Sequence, residues 1–558
     1  MLIKFSIWLT HFFPFLKLIA SSFAGFMLIF FLNLGIEGAI GVGLLAATML
    51  IAMSGLIAWI LINAIASRYG ISGLPITDLI VWGAFLVTGI VVALSVIRFF
   101  TPILEKIKKK LTLKTSMERK SKIDIRDIDK YLPQGDRPYS VEKYFKKGDF
   151  FLGLDERDKP IYLGSGRLPH VHIAGGTGSG KGVFIGMLEA QALINGATVV
   201  NFDPKDDEFG PHVMHYAAKK AGVPYYFIDL RPEAPPQINI FRDSSKHEIF
   251  SLFESAFSLT EKGSDSDHYR FADREYAEIV AEKAEKGDYT PSELFSEFDA
   301  LLSEKASGLR SSLREMANLN AVNAKTGLDL YQIISDGAAI YIKGSISNTA
   351  VIKMQRMLLV KLIQIAESRD RMSNEKPRQI IAIADEFSYQ INSSALAVLK
   401  TTRDKGLNLI VAHQSMEDFS NGPKDLDPKT VEGAVMQNGK LKLIYAVDDY
   451  NLCCELANKT GAIQVDDETR TVKKNIALAE SVNAERTIRQ TESQLITPEQ
   501  FGNLPRGIGV LFRENHLAQF VRTSFIEVKK SHDSYKLHEA EGVSLRDLQD
   551  TPDNRFPA

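Results

Sequence analysis

The stretch IAGGTGSGKGVF, Ile173–Phe184, lies between a short apolar run and a helical pattern that continues to Leu188. Its spacing, Gly175-x4-Gly180-Lys181, is that of a loop that curls its backbone N–H groups around phosphate oxygens. Gly175, Gly176, Gly178 and Gly180 keep side chains out of that approach, and Thr177 and Ser179 suit contact with phosphate. Lys181 would lie beside the terminal phosphates, where the following helix presents its positive end. The next residue is the unusual one. A Ser or Thr hydroxyl there ordinarily ligates magnesium, and this chain has Gly182. The expectation is an ATP and Mg2+ site with altered metal coordination, since Mg2+ keeps waters and phosphate oxygens readily.

A strand–glycine loop–helix unit of this kind belongs to a parallel sheet, and the rest of the body has the matching rhythm. Short apolar runs fall at Val171–Ala174, Ala197–Asp203, Tyr225–Ile228, Ala338–Ile342, Gln379–Ala384, Leu407–Val411 and Leu441–Ala446, with helical stretches between several of them. The pattern predicts an α/β fold with helices on both sheet faces. Ligands in that architecture gather at the carboxyl ends of the strands. The run IIAIADEF delivers Asp385 and Glu386 to such an end. Asp385 suits the magnesium or its water shell, and Glu386 suits polarising the attacking water.

The rhythm changes within residues 243–336, where four stretches all suit helix. Thr290, Pro291 and Glu293 form a helix start, as do Thr497, Pro498 and Gln500. This interval is expected to be an all-α domain inserted between two parts of a nucleotide-binding domain, 136–242 and 337–528. Asp466–Glu492 is polar and reads as a mobile loop or an edge helix. Residues 529–558 form a charged C-terminal segment whose last residues are expected to fray.

The first hundred residues differ from the rest. Leu18–Leu34, Ala39–Ile62 and Ile76–Phe99 are long apolar runs with short breaks, as transmembrane helices require. The span count stays open between two and four, because His11, Pro14 and Lys17 interrupt the first stretch. Residues 101–135 then form a basic juxtamembrane linker carrying Lys106, Lys108, Lys109, Lys110 and Lys114. Such a cluster is retained in the cytoplasm and attracts anionic membrane lipids. The formal net charge of -2 over 558 residues excludes a wholly basic nucleic-acid binder. Cys453 and Cys454, the only cysteines, are too few for a disulfide scaffold or a structural zinc site.

With these motifs placed, the chain resembles the TraD/TraG-like coupling proteins of type IV secretion and conjugation, within the DNA-pumping ATPases related to FtsK and HerA. The resemblance rests on the phosphate loop, NFDPKDDEFG (Asn201–Gly210), PPQINIF (Pro235–Phe241), the ADEF segment and TTRDKGLNLIVAHQS (Thr401–Ser415). It implies a RecA-like P-loop NTPase domain with an inserted all-α domain, preceded by transmembrane helices in the bacterial inner membrane. It places Asp203 and Lys205 near the motor core and gives Gln414 contact with the γ-phosphate. It has Arg403 reach the neighbouring subunit's nucleotide, with Arg506, Arg513 and Arg522 as alternatives. A homo-oligomer of six subunits, DNA, a relaxase and the components of a type IV secretion channel are the partners it implies. Protein cargo alone, or a nucleotide-dependent membrane scaffold, are the competing readings. Lys459 and Lys473–Lys474 are candidate DNA contacts.

Overall fold

Two antiparallel strands, β1 (Phe150–Leu154) and β2 (Pro160–Leu163), precede the parallel block of the sheet. That block comprises β3 (Val171–Ala174), β4 (Thr198–Asp203), β5 (Tyr225–Asp229), β6 (Ala339–Lys343), β7 (Ile380–Ala384), β8 (Leu407–His413) and β9 (Leu441–Ile444). All seven coincide within a few residues with apolar runs of the sequence. Later come a ribbon, β10 (Ala462–Lys474) with β11 (Glu480–Gln494), and the strands β12 (Ile508–Phe512) and β13 (Gln519–Arg522). The eleven-stranded sheet has the order β2-β1-β13-β12-β9-β3-β8-β7-β4-β6-β5. Its antiparallel margin of β1, β2, β12 and β13 was not among the expected strands. Gly153 and Gly509 interrupt the apolar runs of β1 and β12, which weakens their strand signal.

The computed structural model describes residues 125–542 except 136, 260–266, 370–376, 402–404, 423–425, 475–479 and 539, plus scattered helical positions between residues 68 and 103. The first two expected membrane spans, most of the third, the basic cluster, Arg403 and the final residues from 543 therefore lie outside the described residues. Among the described residues no helix is long and apolar enough to cross a membrane. The chain divides into two units: Ile123–Ile463 with Gln494–Ala558, and Met1–Lys122 with Gln464–Ser493. The sheet belongs to the first.

Strands covered on both faces read as continuous apolar runs, and β7, with the sequence IIAIA, is buried at every residue. The side chains still alternate. Ile381 and Ile383 join Val171, Ile173 and Ile410 against α1 (Lys181–Ile194) and α2 (Gly210–Ala221). Ile380, Ala382 and Ala384 join Phe202, Leu407 and Leu409 in a second cluster on the other face.

Five helices link β5 to β6: α3 (Lys246–Phe257), α4 (Asp267–Glu285), α5 (Pro291–Lys305), α6 (Ser307–Ala317) and α7 (Leu330–Asp336). Their apolar residues, among them Phe253, Ala277, Leu294 and Leu309, continue the second cluster without a break. The helical stretch thus shares a core with the sheet face. Thr290 caps α5 as expected: its hydroxyl accepts the Glu293 N–H, and Glu293 accepts the Thr290 N–H at 2.9 Å. The remaining helices are α8 (Thr349–Glu367), α9 (Ser393–Thr401), α10 (Pro428–Asn438), α11 (Tyr450–Lys459) and α12 (Pro498–Gly502). Cys453 is buried and Cys454 half-buried in α11, both as free thiols.

One expectation is corrected. Asp466–Glu492 lies within the β10–β11 ribbon instead of a loop or edge helix. Its β-branched residues, including Thr469, Thr471, Val472, Thr487 and Ile488, outweigh the polarity that suggested a loop. The described part of the C-terminal segment packs closely, and the last residues, expected to fray, lie outside the described residues. Tyr535 stands edge-on to Phe227 of β5 and to His212 of α2, with centroids 5.2 and 5.3 Å apart.

Candidate functional site

Beyond Ala174 the chain leaves β3 through Gly175 at φ 154°, then bends through Gly178 at φ 72° and Gly180 at φ 128° before α1 begins at Lys181. Two of these glycines are required by close approach as well as by backbone conformation. A Cβ on Gly175 would fall 2.7 Å from the Cβ of Tyr445, and one on Gly180 would fall 3.0 Å from the Tyr445 ring. The loop therefore rests on the strand-end residue Tyr445, with the Gly176 N–H donating to the Ala446 carbonyl at 2.9 Å and the Ser179 N–H to the Gly176 carbonyl at 3.3 Å.

Lys181 is buried, and its Nζ donates to the carbonyl oxygens of Gly175 at 2.6 Å and Gly176 at 3.1 Å. Burial pulls its pKa down, while the carboxylates of Glu386 and Asp385 oppose that shift. The Ser179 hydroxyl oxygen is buried and finds no hydrogen-bond partner among the described residues. A loop that offers amide donors, a buried ammonium and an unpaired hydroxyl suits an anion with several oxygens. The donor set therefore fits a nucleotide phosphate chain.

β7, which carries the acids, is separated from β3 by β8 alone. The parallel register aligns Ala174 with His413 and Val411 with Ala384, so the three strands end at one edge. Glu386 follows in the left-handed region, φ 57° and ψ 63°, an uncommon conformation for a non-glycine residue. Its buried carboxylate Oε1 accepts from Gln414 Nε2 at 2.9 Å and pairs with the Lys205 ammonium. Gln414 in turn accepts from the Thr177 hydroxyl at 3.1 Å. One chain of contacts thus joins the phosphate loop, the end of β8, the end of β7 and the Asp-Pro-Lys segment. Asp385 beside it is pushed up to about 6 by burial, with the Lys205 ammonium opposing that shift.

The structure brings Lys181, Asp385, Glu386, Gln414 and Thr177 to one place. Asp203 is close by but committed elsewhere. Its Oδ1 accepts the N–H groups of Lys205 at 2.8 Å and Asp206 at 3.1 Å. Its Oδ2 accepts the Asp207 N–H and the Tyr341 hydroxyl, both at 2.7 Å. Asp203 holds the loop that carries Lys205 and directs no oxygen toward the phosphate loop.

Of the alternative arginines, Arg506 lines a cleft of about 650 Å³ beside Thr177, Ser179, Gln414 and Asp449. Arg522 instead pairs with Asp158, and Arg513 donates to the Tyr162 carbonyl at 3.4 Å. Lys459 pairs with Glu455 at 2.6 Å.

Several contributors were not singled out in the sequence. Lys205 was placed near the core, but not against Glu386. Asp418 fixes Gln414 by accepting its N–H at 3.1 Å and that of Ser415 at 2.9 Å. Ser415-x-x-Asp418 is a capping-box spacing that could have revealed it. His413 stacks on His172 at 4.9 Å with 2.7 Å between the Nε2 atoms, a packing role. Among the described residues no group of three or more His, Cys, Asp or Glu side chains could hold a metal alone.

Comparison with known proteins gives likenesses to motor ATPases and to proteins of conjugation. Residues 150–387 match the family described as Helicase HerA, central domain. Over 336 residues the chain is 28% identical to Mobilization protein A of Escherichia coli, covering 57% of this chain and 60% of that protein. The chain resembles the TraD/TraG-like coupling proteins. Among solved structures it is similar to the bacterial conjugative coupling protein TrwBdeltaN70, with TM-score 0.50 and 15% identity over 72% of this chain and 96% of that one. TrwB in complex with ADP and Mg2+ gives the same TM-score at 14% identity. At that identity the likeness is one of fold, a RecA-like α/β core with a large parallel sheet.

Proposed function

We propose that this chain is a membrane-anchored ATPase that couples ATP hydrolysis to the movement of DNA, or of a relaxase–DNA complex, toward a type IV secretion channel. The observation that carries the reading is the meeting of Lys181, Asp385, Glu386 and Gln414 at one sheet edge, with Lys181 more than a hundred residues from the other three in sequence. The names of the similar proteins, a mobilization protein and a conjugative coupling protein, support the conjugative assignment.

In this reading the loop amides of Gly175–Gly182 and the Thr177 and Ser179 hydroxyls hold the phosphate chain. Lys181 exchanges its loop carbonyls for phosphate oxygens and spreads the charge that develops on them. Glu386 takes the proton of the attacking water, and Gln414, hydrogen-bonded to it, orients the γ-phosphate. Asp385 would hold Mg2+, directly or through water, and the ion would supply charge neutralisation for the phosphate chain. Asp203 keeps Lys205 against Glu386. Arg403 completes the site of a neighbouring subunit in a ring of six, anchored in the bacterial inner membrane with its body in the cytoplasm. The basic linker contacts lipid headgroups.

The test is phosphate release by the full-length protein purified in membrane, with and without single- and double-stranded DNA, beside Lys181→Ala. ATP hydrolysis stimulated by DNA and lost in the variant is the expected result. Hydrolysis indifferent to DNA, with no DNA bound by the assembled protein, would overturn the DNA assignment. Equal turnover by the variant would overturn the site.

A further inference from the structure

The phosphate loop lacks a hydroxyl at residue 182, and the fold brings a carboxylate to that place. A Cβ on Gly182 would meet one atom beyond its own helix, Oδ2 of Asp207 at 4.0 Å. Asp207 is held by its own contacts. Its Oδ1 accepts the N–H groups of Phe209 at 2.8 Å and Gly210 at 2.6 Å, closing the entry to α2, and its N–H donates to Asp203. Oδ2 accepts no hydrogen bond from any described residue. The neighbouring acids are engaged otherwise: Asp203 by loop N–H groups and Tyr341, Asp206 by Lys343 at 2.5 Å, and Glu208 by Lys530. Asp207 Oδ2 is the one carboxylate oxygen of this segment turned toward the space where a Ser or Thr side chain would stand.

Resting on the nucleotide reading above, we propose that Asp207 supplies to the nucleotide-bound Mg2+ the oxygen that Gly182 lacks, directly or through one water. Mg2+ is a hard cation that favours one or two carboxylates together with phosphate oxygens and waters, and Asp207 with Asp385 gives such a set. An anionic oxygen from a separate loop replaces a neutral hydroxyl of the phosphate loop itself. Metal binding therefore ties the Asp-Pro-Lys segment to the nucleotide. The absent hydroxyl and the placed carboxylate are one arrangement.

The experiment uses the full chain in membrane-mimetic form and reads binding. A fluorescent ADP derivative is titrated in excess Mg2+ and in EDTA, and Mn2+ affinity for the protein–ADP complex is measured by electron paramagnetic resonance. Asp207→Asn keeps an amide oxygen for the Phe209 and Gly210 N–H groups, so the entry to α2 is retained. It is expected to lower Mn2+ affinity and the Mg2+-dependent gain in ADP affinity roughly tenfold or more, with EDTA affinity within about twofold. Adding Gly182→Ser to the Asp207→Asn protein is expected to restore both. An Asp207→Asn protein equal to wild type in Mn2+ affinity and Mg2+-dependent gain would overturn the proposal. Wild-type protein that binds ADP equally in Mg2+ and EDTA would overturn it while leaving the nucleotide site standing. Wild-type protein that binds no ADP in either condition would overturn both readings.

Discussion

Glu386→Gln isolates the step in which a water proton is removed. The side chain sits in the left-handed turn after β7, with Oε1 between Gln414 Nε2 and the Lys205 ammonium. Glutamine has the same length and can turn its amide oxygen to both donors, so the turn and the position of Gln414 survive. What is lost is the negative charge and the basic oxygen. Removal of a positioned general base typically costs about 10²–10⁴ in rate, or roughly 3–5.5 kcal/mol of barrier. A second cost falls on stability. A hydrogen bond to a charged group contributes about 1.5–3 kcal/mol and a neutral one about 0.5–1.5, so the change is on the order of 1 kcal/mol. Lys205 is partly exposed and can be solvated, which keeps this at the low end. The assay pairs steady-state phosphate release with equilibrium binding of an ATP analogue. The expected result is turnover reduced by at least about a hundredfold with analogue affinity within about threefold of wild type. Turnover within about threefold of wild type would refute the assignment of Glu386 as the base. Equal loss of binding and turnover would instead make it a structural member of the loop network.

Gly175→Ala must place a Cβ 2.7 Å from Tyr445 Cβ and 2.8 Å from Ser179 Oγ at φ 154°, so the loop shifts; ADP affinity should fall at least about tenfold, at a stability cost on the order of 1–3 kcal/mol by thermal denaturation. Asp385 has its pKa raised from 3.8 to about 6 by burial, so its charged form penalises the folded state fully above about pH 6, and the penalty fades as pH falls to 3.8. Asp385→Asn should therefore raise the melting temperature at pH 7.5 while weakening Mg2+-dependent nucleotide binding, and in wild type that binding should decline as pH falls through about 6. Lys205→Met removes the main cation that opposes the shift, so the acid limb of nucleotide binding should move to higher pH in calorimetric titrations. His172 and His413 are buried with pKa values below 6.5, His413 at about 4, so both fold neutral and stability is lost as pH falls from 6.5 toward 4. A His172→Leu, His413→Leu protein should flatten that part of the denaturation profile.

The sequence made the parallel core legible because each of its strands is short, apolar and buried on both faces, and because the glycine loop and the ADEF segment mark strand ends. The antiparallel margin was hidden, since Gly153 and Gly509 sit inside its strands and its residues show no alternation. The polar ribbon at Asp466–Glu492 was hidden for the opposite reason: its strands have β-branched residues but no apolar run. Within the site, residue types and spacing revealed which groups could do chemistry but not how they share charge. Nothing in NFDPKDDEFG distinguishes Asp203, turned into its own loop, from Lys205 against Glu386 or from Asp207 facing Gly182. That distinction comes from the direction in which the chain leaves β4, which depends on the pairing of β4 with β6 and β7.

Charge balance gives these pieces a common logic. Lys181 and Lys205 oppose Asp385 and Glu386 in one partly buried cluster, so the site carries no surplus of positive charge, and Asp207 adds a further negative group at its margin. A nucleoside triphosphate brings more negative charge than one Mg2+ cancels. In a water-poor cleft such an excess is costly, because interactions between charges strengthen as the effective dielectric falls. The loop amides and the N-terminus of α1 offset part of it as partial charges. The remainder calls for a full cation from outside this cluster. Arg506 on the cleft wall is one source within the subunit. An arginine presented by a neighbouring subunit, the role the family resemblance gives Arg403, is the other. Under the proposed function, an arginine from a second subunit would add to the charge that Arg506 offers within the subunit, so the charge balance of the site is consistent with completion by a neighbour.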